Sequence, residues 1–168
     1  MKHTNLSREK LLNLLEVYAK NWLALDGLWF QSIEQAFDMD RAMEHNKNVW
    51  RRYTVIEARR IREFLELPER AGLTGLRQAL GLRLYAPLNE VEMDLSGNIL
   101  TFRTLSCRVQ SARSRKGLPR HPCKEVGIIE YGEFAKVIDD RITTACLSCY
   151  PDIMDAGCAC AWRFTLNA

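Results

Sequence analysis

The sequence has no acidic residue between Arg103 and Lys124, no cysteine before residue 107 and only 3 histidines. No stretch approaches the roughly 20 apolar residues of a membrane-spanning helix, and the first residues lack the uncharged apolar segment of a signal peptide. With 9 glycines, 5 prolines and 47% hydrophobic residues, the 168-residue chain is neither collagen-like nor disordered. We therefore expect a cytoplasmic globular protein of one domain, residues 1–168.

All six cysteines fall in the last 62 residues. In a reducing cytoplasm thiols persist as metal ligands, nucleophiles or buried small side chains rather than as disulfides. The first hundred residues are therefore interpreted as scaffold, and the chemistry is expected after Ser106.

The net charge of +3 hides an uneven distribution. Residues 103–124 hold seven basic and no acidic side chains, whereas residues 125–168 hold three basic and seven acidic ones. The basic segment indicates a small anionic ligand, held by Arg108, Arg113 and Lys116, or ion pairs with the acidic segment that follows. Nucleic acid is disfavoured because no aromatic residue interrupts the basic run to stack on bases.

Two long helices are predicted for the first part of the chain. Apolar residues recur every three or four positions over residues 11–37, after a potential cap at Ser7. A second such helix starts after Asp38 and stops before Pro68, and the short link predicts an antiparallel hairpin. A short third helix is expected from a cap at Thr74 to about Leu84.

The periodicity then changes to two. Residues 91–95 and 99–103 alternate around a Ser-Gly-Asn turn, which predicts a β-hairpin. Residues 106–123 contain Gly117, Pro119 and Pro122 and are expected to be mostly loop by their end. A helix is expected over 126–137, with strands over 142–146 and 159–166 that pair antiparallel. The prediction is an α+β domain with a helical part, 1–85, and a sheet plus Cys-rich part, 86–168.

Four cysteines have the spacing of a metal site. Cys146 and Cys149 form a CxxC motif, and Cys158 and Cys160 form a CxC motif after eight intervening residues. Cysteines at i and i+2 of a strand point the same way, so four thiolates could converge at one end of the sheet. Zinc is the expected ion, with an iron–sulfur cluster as the alternative, and Cys107 and Cys123 as substitute ligands.

Several residues are candidates for other chemistry. Cys123 or a metal-bound water could attack a small carboxylated heterocycle or amide, with His121 or Asp152 moving protons. Glu57, like Asp26, interrupts an apolar helical stripe, and either carboxylate would serve acid–base chemistry or pair with an arginine. Trp29 belongs to an aromatic cluster that forms either core or the wall of a ligand pocket.

The motifs resemble those of an uncharacterised family of small Cys-rich cytosolic proteins from anaerobic bacteria and archaea. The segments that carry this resemblance are DGLWF (26–30), TVIEAR (54–59), CRVQSARSRKGL (107–118), PCK (122–124), EY (130–131), the CxxC motif and CAWRF (160–164). The order of elements is also distantly similar to the 4-vinyl reductase small-molecule-binding domain and to L-2-amino-thiazoline-4-carboxylic acid hydrolases. These resemblances imply an α+β domain with a helix-lined pocket near a cysteine cluster.

The leading hypothesis is thus a zinc-binding domain with a basic pocket for a small anionic ligand. A small-molecule hydrolase and an iron–sulfur or thiol redox protein are the alternatives. The exposed face of the first helix could support a homodimer.

Overall fold

A computed structural model describes residues 5–168 and has the predicted α+β architecture. Its elements are α1 (Arg8–Ala36), α2 (Met39–Phe64), α3 (Gly72–Leu80), β1 (Glu90–Ser96), β2 (Ile99–Ser106), α4 (Arg108–Arg115), α5 (Lys124–Ile138), β3 (Ile142–Cys149) and β4 (Cys160–Leu166). The four strands form one antiparallel sheet in the order β1-β2-β4-β3.

The first two helices begin at the predicted caps. The Ser7 hydroxyl accepts a hydrogen bond from Lys10 N at 3.3 Å, and the Asp38 carboxylate accepts one from Arg41 N at 2.7 Å. The helices run antiparallel, with Trp22 of α1 stacked on Tyr53 of α2 at 5.1 Å. Within the described part of α1, only Ala19 is buried, so this helix contacts the rest of the molecule through a narrow strip of its surface.

The middle of the chain differs from the prediction at one helix start and contains one further helix. The third helix starts at Gly72 rather than after Thr74, because Gly72 N donates to the buried Asp139 carboxylate at 2.9 Å, a contact distant in sequence. Residues 106–123, predicted to be mostly loop by their end, contain the unpredicted helix α4 followed by a loop after Arg115. This helix has few apolar residues, so its formation depends on tertiary contacts, above all the burial of Arg113 against Glu34.

The sheet follows the predicted hairpin and extends it. Gly97 takes φ +57° in the turn between β1 and β2, a conformation that glycine adopts without strain. Strand β3 continues three residues beyond the predicted end, to Cys149, and its register with β4 shifts between Cys146 and Ser148. The extra residue in β3 is a β-bulge.

Helix α5 packs between α2 and the sheet and supplies the centre of the core. Phe134 and Ile138 of α5 are fully buried with Leu76 of α3 and with Trp162 and Phe164 of β4. Burying these large side chains is the main favourable contribution to folding.

One charged group crosses this core. The Arg83 guanidinium contacts the Glu57 carboxylate at 2.8 Å and the Glu130 carboxylate at 2.6 Å. The other Glu57 oxygen accepts from Leu84 N at 2.8 Å. Of the two roles considered for Glu57, acid–base chemistry or pairing with an arginine, the structure shows the pairing, and the arginine is Arg83.

Candidate functional site: a thiol-lined cavity

A cavity of about 450 Å³ lies between α1, α4, α5 and one end of the sheet. Its deep end is formed by the buried residues Thr104, Cys149 and Trp162. Its rim carries the exposed side chains of α1 and α4. The cavity volume is in the range of small-molecule binding sites.

The bulge in β3 decides which cysteines reach the cavity. Residues at i and i+3 of a regular strand lie on opposite faces of the sheet. The extra residue in β3 puts Cys146 and Cys149 on the same face of the sheet. Cys146 therefore lies opposite Trp162 of β4, and Cys149 lies directly opposite Cys160. Cys149 and Cys160 line the cavity, and Thr104 of β2 lies opposite Cys160 on its other side.

The thiols of Cys149 and Cys160 interact as a pair. A hydrogen bond from Cys149, with further help from Thr104, outweighs burial and lowers the pKa of Cys160 to about 7. The same hydrogen bond, together with burial, raises the pKa of Cys149. Trp162 Nε1 also lowers the Cys160 pKa, although this buried nitrogen makes no hydrogen bond of normal geometry. Cys160 is therefore the thiol that ionises first.

Cys123 and His121 meet at the neighbouring wall. His121 Nδ1 lies 3.1 Å from Cys123 Sγ, and its Nε2 lies 3.2 Å from the side-chain amide of Asn46. The Gln110 amide donates to Cys123 Sγ at 3.2 Å. Burial lowers the pKa of His121 to about 4 and raises that of Cys123, so both groups are neutral at pH 7.

The structure brings four cysteines to the cavity but not the four predicted as ligands. Cys107 and Cys123 line it with Cys149 and Cys160. Cys158 lies in the loop before β4, which starts two residues later, and its thiol contacts the Asp155 carboxylate at 3.4 Å. Across residues 5–168, no three His, Cys, Asp or Glu side chains are grouped so that they could hold a metal ion.

The rim of the cavity is basic. Arg108, Arg115 and Lys116 line it, and none of the three forms an ion pair within residues 5–168. Lys116 Nζ donates to the Gln31 amide at 3.0 Å. Arg113, in contrast, is buried, and both terminal nitrogens of its guanidinium bind Glu34, at 2.8 and 2.6 Å.

Part of the basic segment does pair with the acidic segment that follows it. Arg103 contacts Asp155 at 2.8 Å, and Lys124 contacts Asp152 at 2.6 Å. Asp152 is exposed, lies outside the cavity and does not contact His121 or Cys123. Trp29 is 67% exposed and also lies outside the cavity lining.

Asp26 lines the cavity beside an aromatic cluster, which consists of Trp22, Trp50, Tyr53 and Tyr85. Tyr85 donates to its carboxylate at 3.3 Å, and burial raises the Asp26 pKa despite that bond. The other lining carboxylate, Glu130, is paired with Arg83. Neither carboxylate therefore neutralises the basic rim.

Sequence reasoning missed several residues that shape the site. Thr104 follows Leu100 and Phe102 on the same face of β2. A polar residue at a position where the alternation predicts an apolar one could have marked Thr104 as a site residue. Glu34 follows Phe30 by four residues on α1 and had a similar signal. Asn46 and Gln110 had none, because long-range folding alone brings them to His121.

The chain matches the family of unknown function DUF6125 over residues 4–166 and belongs to that family. No curated protein and no solved structure matches it. Each helix within residues 5–168 is too short or too polar to cross a membrane.

Proposed function

We propose that this DUF6125 member binds a small anionic molecule in the cavity between α1, α4, α5 and the sheet. The carrying observation is a rim of basic side chains without carboxylate partners around a mostly apolar chamber of about 450 Å³. Apolar walls bind the body of a ligand, and a few charged groups orient it.

Three cations at the rim support the choice of an anion. Arg108, Arg115 and Lys116 would hold a carboxylate or phosphate by charge-assisted hydrogen bonds. Arg113 supports the wall rather than the ligand, since Glu34 already neutralises it. We choose a carboxylated heterocycle as ligand on the distant sequence resemblance to L-2-amino-thiazoline-4-carboxylic acid hydrolases, which no match among curated proteins supports.

Binding is tested with a pair of probes that differ in charge. Phenylacetate and phenethylammonium have similar size, and calorimetry should show tighter binding of the acid by about tenfold, equivalent to ~1.4 kcal/mol. Equal affinity for acid and amine would contradict an anion site.

Variants locate the probe in the cavity. Arg108→Gln with Lys116→Gln should weaken phenylacetate binding, whereas Arg120→Gln, which removes a basic residue of the same segment from outside the cavity lining, should not. Ala112→Trp should block the cavity that Ala112 lines. Unchanged affinity in this last variant would show that the probe binds elsewhere.

A zinc ion is the second candidate ligand of the same cavity. Four thiols line one chamber, those of Cys107, Cys123, Cys149 and Cys160. Burial raises the pKa of Cys107, and the charge of Cys160 raises it further. Their donor chemistry suits zinc or an iron–sulfur cluster. Their positions do not yet form a site, so the sulfurs would have to move closer together on binding.

Elemental analysis of anaerobically purified protein tests the metal. Stoichiometric zinc that is lost in Cys107→Ser and retained in Cys158→Ser would support the cavity thiols as ligands. Loss in Cys146→Ser and Cys158→Ser would instead support the CxxC and CxC set. Brown protein with visible absorption would indicate an iron–sulfur cluster, and metal-free protein would contradict both.

Hydrolysis of the bound molecule is a third candidate function, with Cys123 as nucleophile and His121 as base. The 3.1 Å contact between them supports this assignment, whereas burial opposes it by holding both groups in their neutral forms at pH 7. Any hydrolytic activity found for the protein should be lost in Cys123→Ser and retained in Asp152→Asn, because Asp152 is paired with Lys124 outside the cavity.

A further inference from the structure

We propose that Cys149 and Cys160 form a redox-active dithiol that reduces a small anionic disulfide bound in the cavity. This inference rests on the proposed anion-binding function for the choice of substrate, but not for the formation of the protein disulfide. It assigns disulfide reduction to the deep end of the cavity and the selection of anionic disulfides to the basic rim.

The geometry of the pair fits a disulfide. Cys149 and Cys160 are direct partners across two antiparallel strands, and both thiols line the cavity. Direct partners have Cα atoms about 4.5–5.5 Å apart, within the roughly 4.4–6.8 Å that a disulfide needs. The two sulfurs can therefore join without a change of strand register.

The other cysteines are arranged less favourably for this reaction. Cys146 lies opposite Trp162 rather than opposite a second cysteine, and it does not line the cavity. Cys158 contacts Asp155, which binds Arg103. Cys123 is held in its own contacts with His121 and Gln110.

Accessibility assigns different roles to the two sulfurs. Cys149 is only 2% exposed, whereas Cys160 is partly accessible from the cavity. Cys160 is thus the attacking residue, and Cys149 resolves the intermediate.

The reaction takes place in two exchange steps. Cys160 loses its proton and attacks one sulfur of the bound disulfide, RSSR, so a Cys160–SR bond forms and the first RS⁻ leaves with that proton as RSH. Cys149 then attacks the Cys160 sulfur and displaces the second RS⁻, which takes the Cys149 proton. The dithiol loses two electrons and becomes a disulfide, and RSSR gains them and becomes two RSH.

The basic rim selects the disulfide by charge. Arg108, Arg115 and Lys116 surround the entrance through which a substrate reaches Cys160. A disulfide with carboxylate groups is attracted to this rim, and one with ammonium groups is repelled, which changes the rate of association.

The test uses two small disulfides of opposite charge on the reduced full-length protein. Dithiodiglycolate carries two carboxylates and cystamine carries two ammonium groups. We expect dithiodiglycolate to react faster by about tenfold at low ionic strength. Alkylation of the remaining thiols followed by peptide mass mapping should show a link between Cys149 and Cys160 and the loss of two hydrogen atoms.

Serine variants separate the two steps. Cys149→Ser should stop at a mixed disulfide on Cys160, and Cys160→Ser should not react at this site. Cys158→Ser is the matched control, since its thiol faces Asp155, and it should form the same link as the unmodified chain. A link between Cys146 and Cys149, or between Cys107 and Cys123, would overturn the proposal.

The neutral thiol oxidant diamide separates the dithiol from the anion site. If diamide forms the Cys149–Cys160 link but both charged disulfides react equally fast, the redox-active dithiol is supported and the anionic substrate is contradicted. If phenylacetate binds but no reagent links these residues, anion binding stands and the dithiol fails. Arg108→Gln with Lys116→Gln should lower the dithiodiglycolate rate and leave the diamide reaction unchanged.

Discussion

One face of the sheet supports two different regions, a filled core and a cavity. Along β4 the residues on this face change from Phe164 in the core, through Trp162 at the boundary, to Cys160 at the cavity. Along β2 the same change runs from Phe102 to Thr104. Smaller side chains at one end of the sheet leave room that larger ones fill at the other, so the cavity is a consequence of decreasing side-chain volume.

The core and the cavity also differ in how their charged side chains are paired. In the core, Arg83 has two carboxylate partners, Glu57 and Glu130, while at the cavity wall Arg113 has only Glu34. The basic rim beyond Arg113 has no carboxylate partner within residues 5–168. Both buried guanidinium groups are therefore paired with carboxylates, whereas the exposed cations Arg108, Arg115 and Lys116 at the cavity rim have no carboxylate partner within residues 5–168.

The largest loss of stability is expected from the core ion-pair network. Arg83→Met leaves the buried carboxylates of Glu57 and Glu130 without their cation and should lower the free energy of unfolding by about 3–5 kcal/mol. Urea denaturation measures the change. Arg103→Met is the control, because its pairs with Glu92 and Asp155 are solvent-exposed and should matter by less than about 1 kcal/mol. Similar losses in the two variants would contradict the distinction.

The next effect depends on pH. Hydrogen bonds from Arg141 and from Gly72 N hold the pKa of the buried Asp139 carboxyl at about 2, below its model-peptide value of 3.8. A lowered folded-state pKa stabilises the protein above the unfolded-state pKa, and this stabilisation is lost as the pH falls towards 2. Asp139→Asn should cost about 2 kcal/mol at pH 7 and progressively less in acid. A cost independent of pH, measured by urea denaturation, would refute the assignment.

A pair of glycines on α5 tests the tight packing of the core boundary. A Cβ at Gly127 would lie 2.5 Å from Cζ2 of Trp162, so Gly127→Ala should destabilise the protein by about 1–3 kcal/mol. Gly132 has open space around it, and Gly132→Ala should stabilise the helix by about 0.5–1 kcal/mol. Thermal denaturation of both variants should give melting temperatures that move in opposite directions.

The smallest effect is expected at an exposed residue of α1 at the rim of the cavity. Leu28 of α1 is 61% exposed, so Leu28→Ala should change stability by less than about 0.5 kcal/mol. Leu76→Ala in the core should cost about 2–5 kcal/mol, because that side chain is fully buried. A large, concentration-dependent loss for Leu28→Ala would show that a second chain covers α1, as a homodimer requires.

The elements with regular patterns could be predicted from the sequence. Caps at Ser7 and Asp38 and the glycine turn at Gly97 act through neighbouring residues, so the structure confirms them. Helix α4 could not be predicted, because Arg113 becomes helical against Glu34 of a distant element. The start of α3 at Gly72 similarly depends on a distant carboxylate.

The candidate site was predictable only in part. The sequence placed chemistry after residue 106 and paired His121 with Cys123, which are neighbours in the chain. It could not show that the bulge in β3 turns Cys149 towards Cys160, nor that Cys158 lies in a loop beside Asp155. Strand register and bulges depend on the partner strand, and no local pattern encodes them.

The sequence by itself determined the helical hairpin, the β-hairpin and the concentration of thiols and basic residues in the second half of the chain. These features follow from short-range periodicity, capping and composition. The tertiary structure alone decided which thiols share a cavity, which cations keep their charge unpaired, and that Glu57 is bound to Arg83. The physical reason is that burial and charge pairing depend on residues far apart in sequence, which only the folded chain brings together.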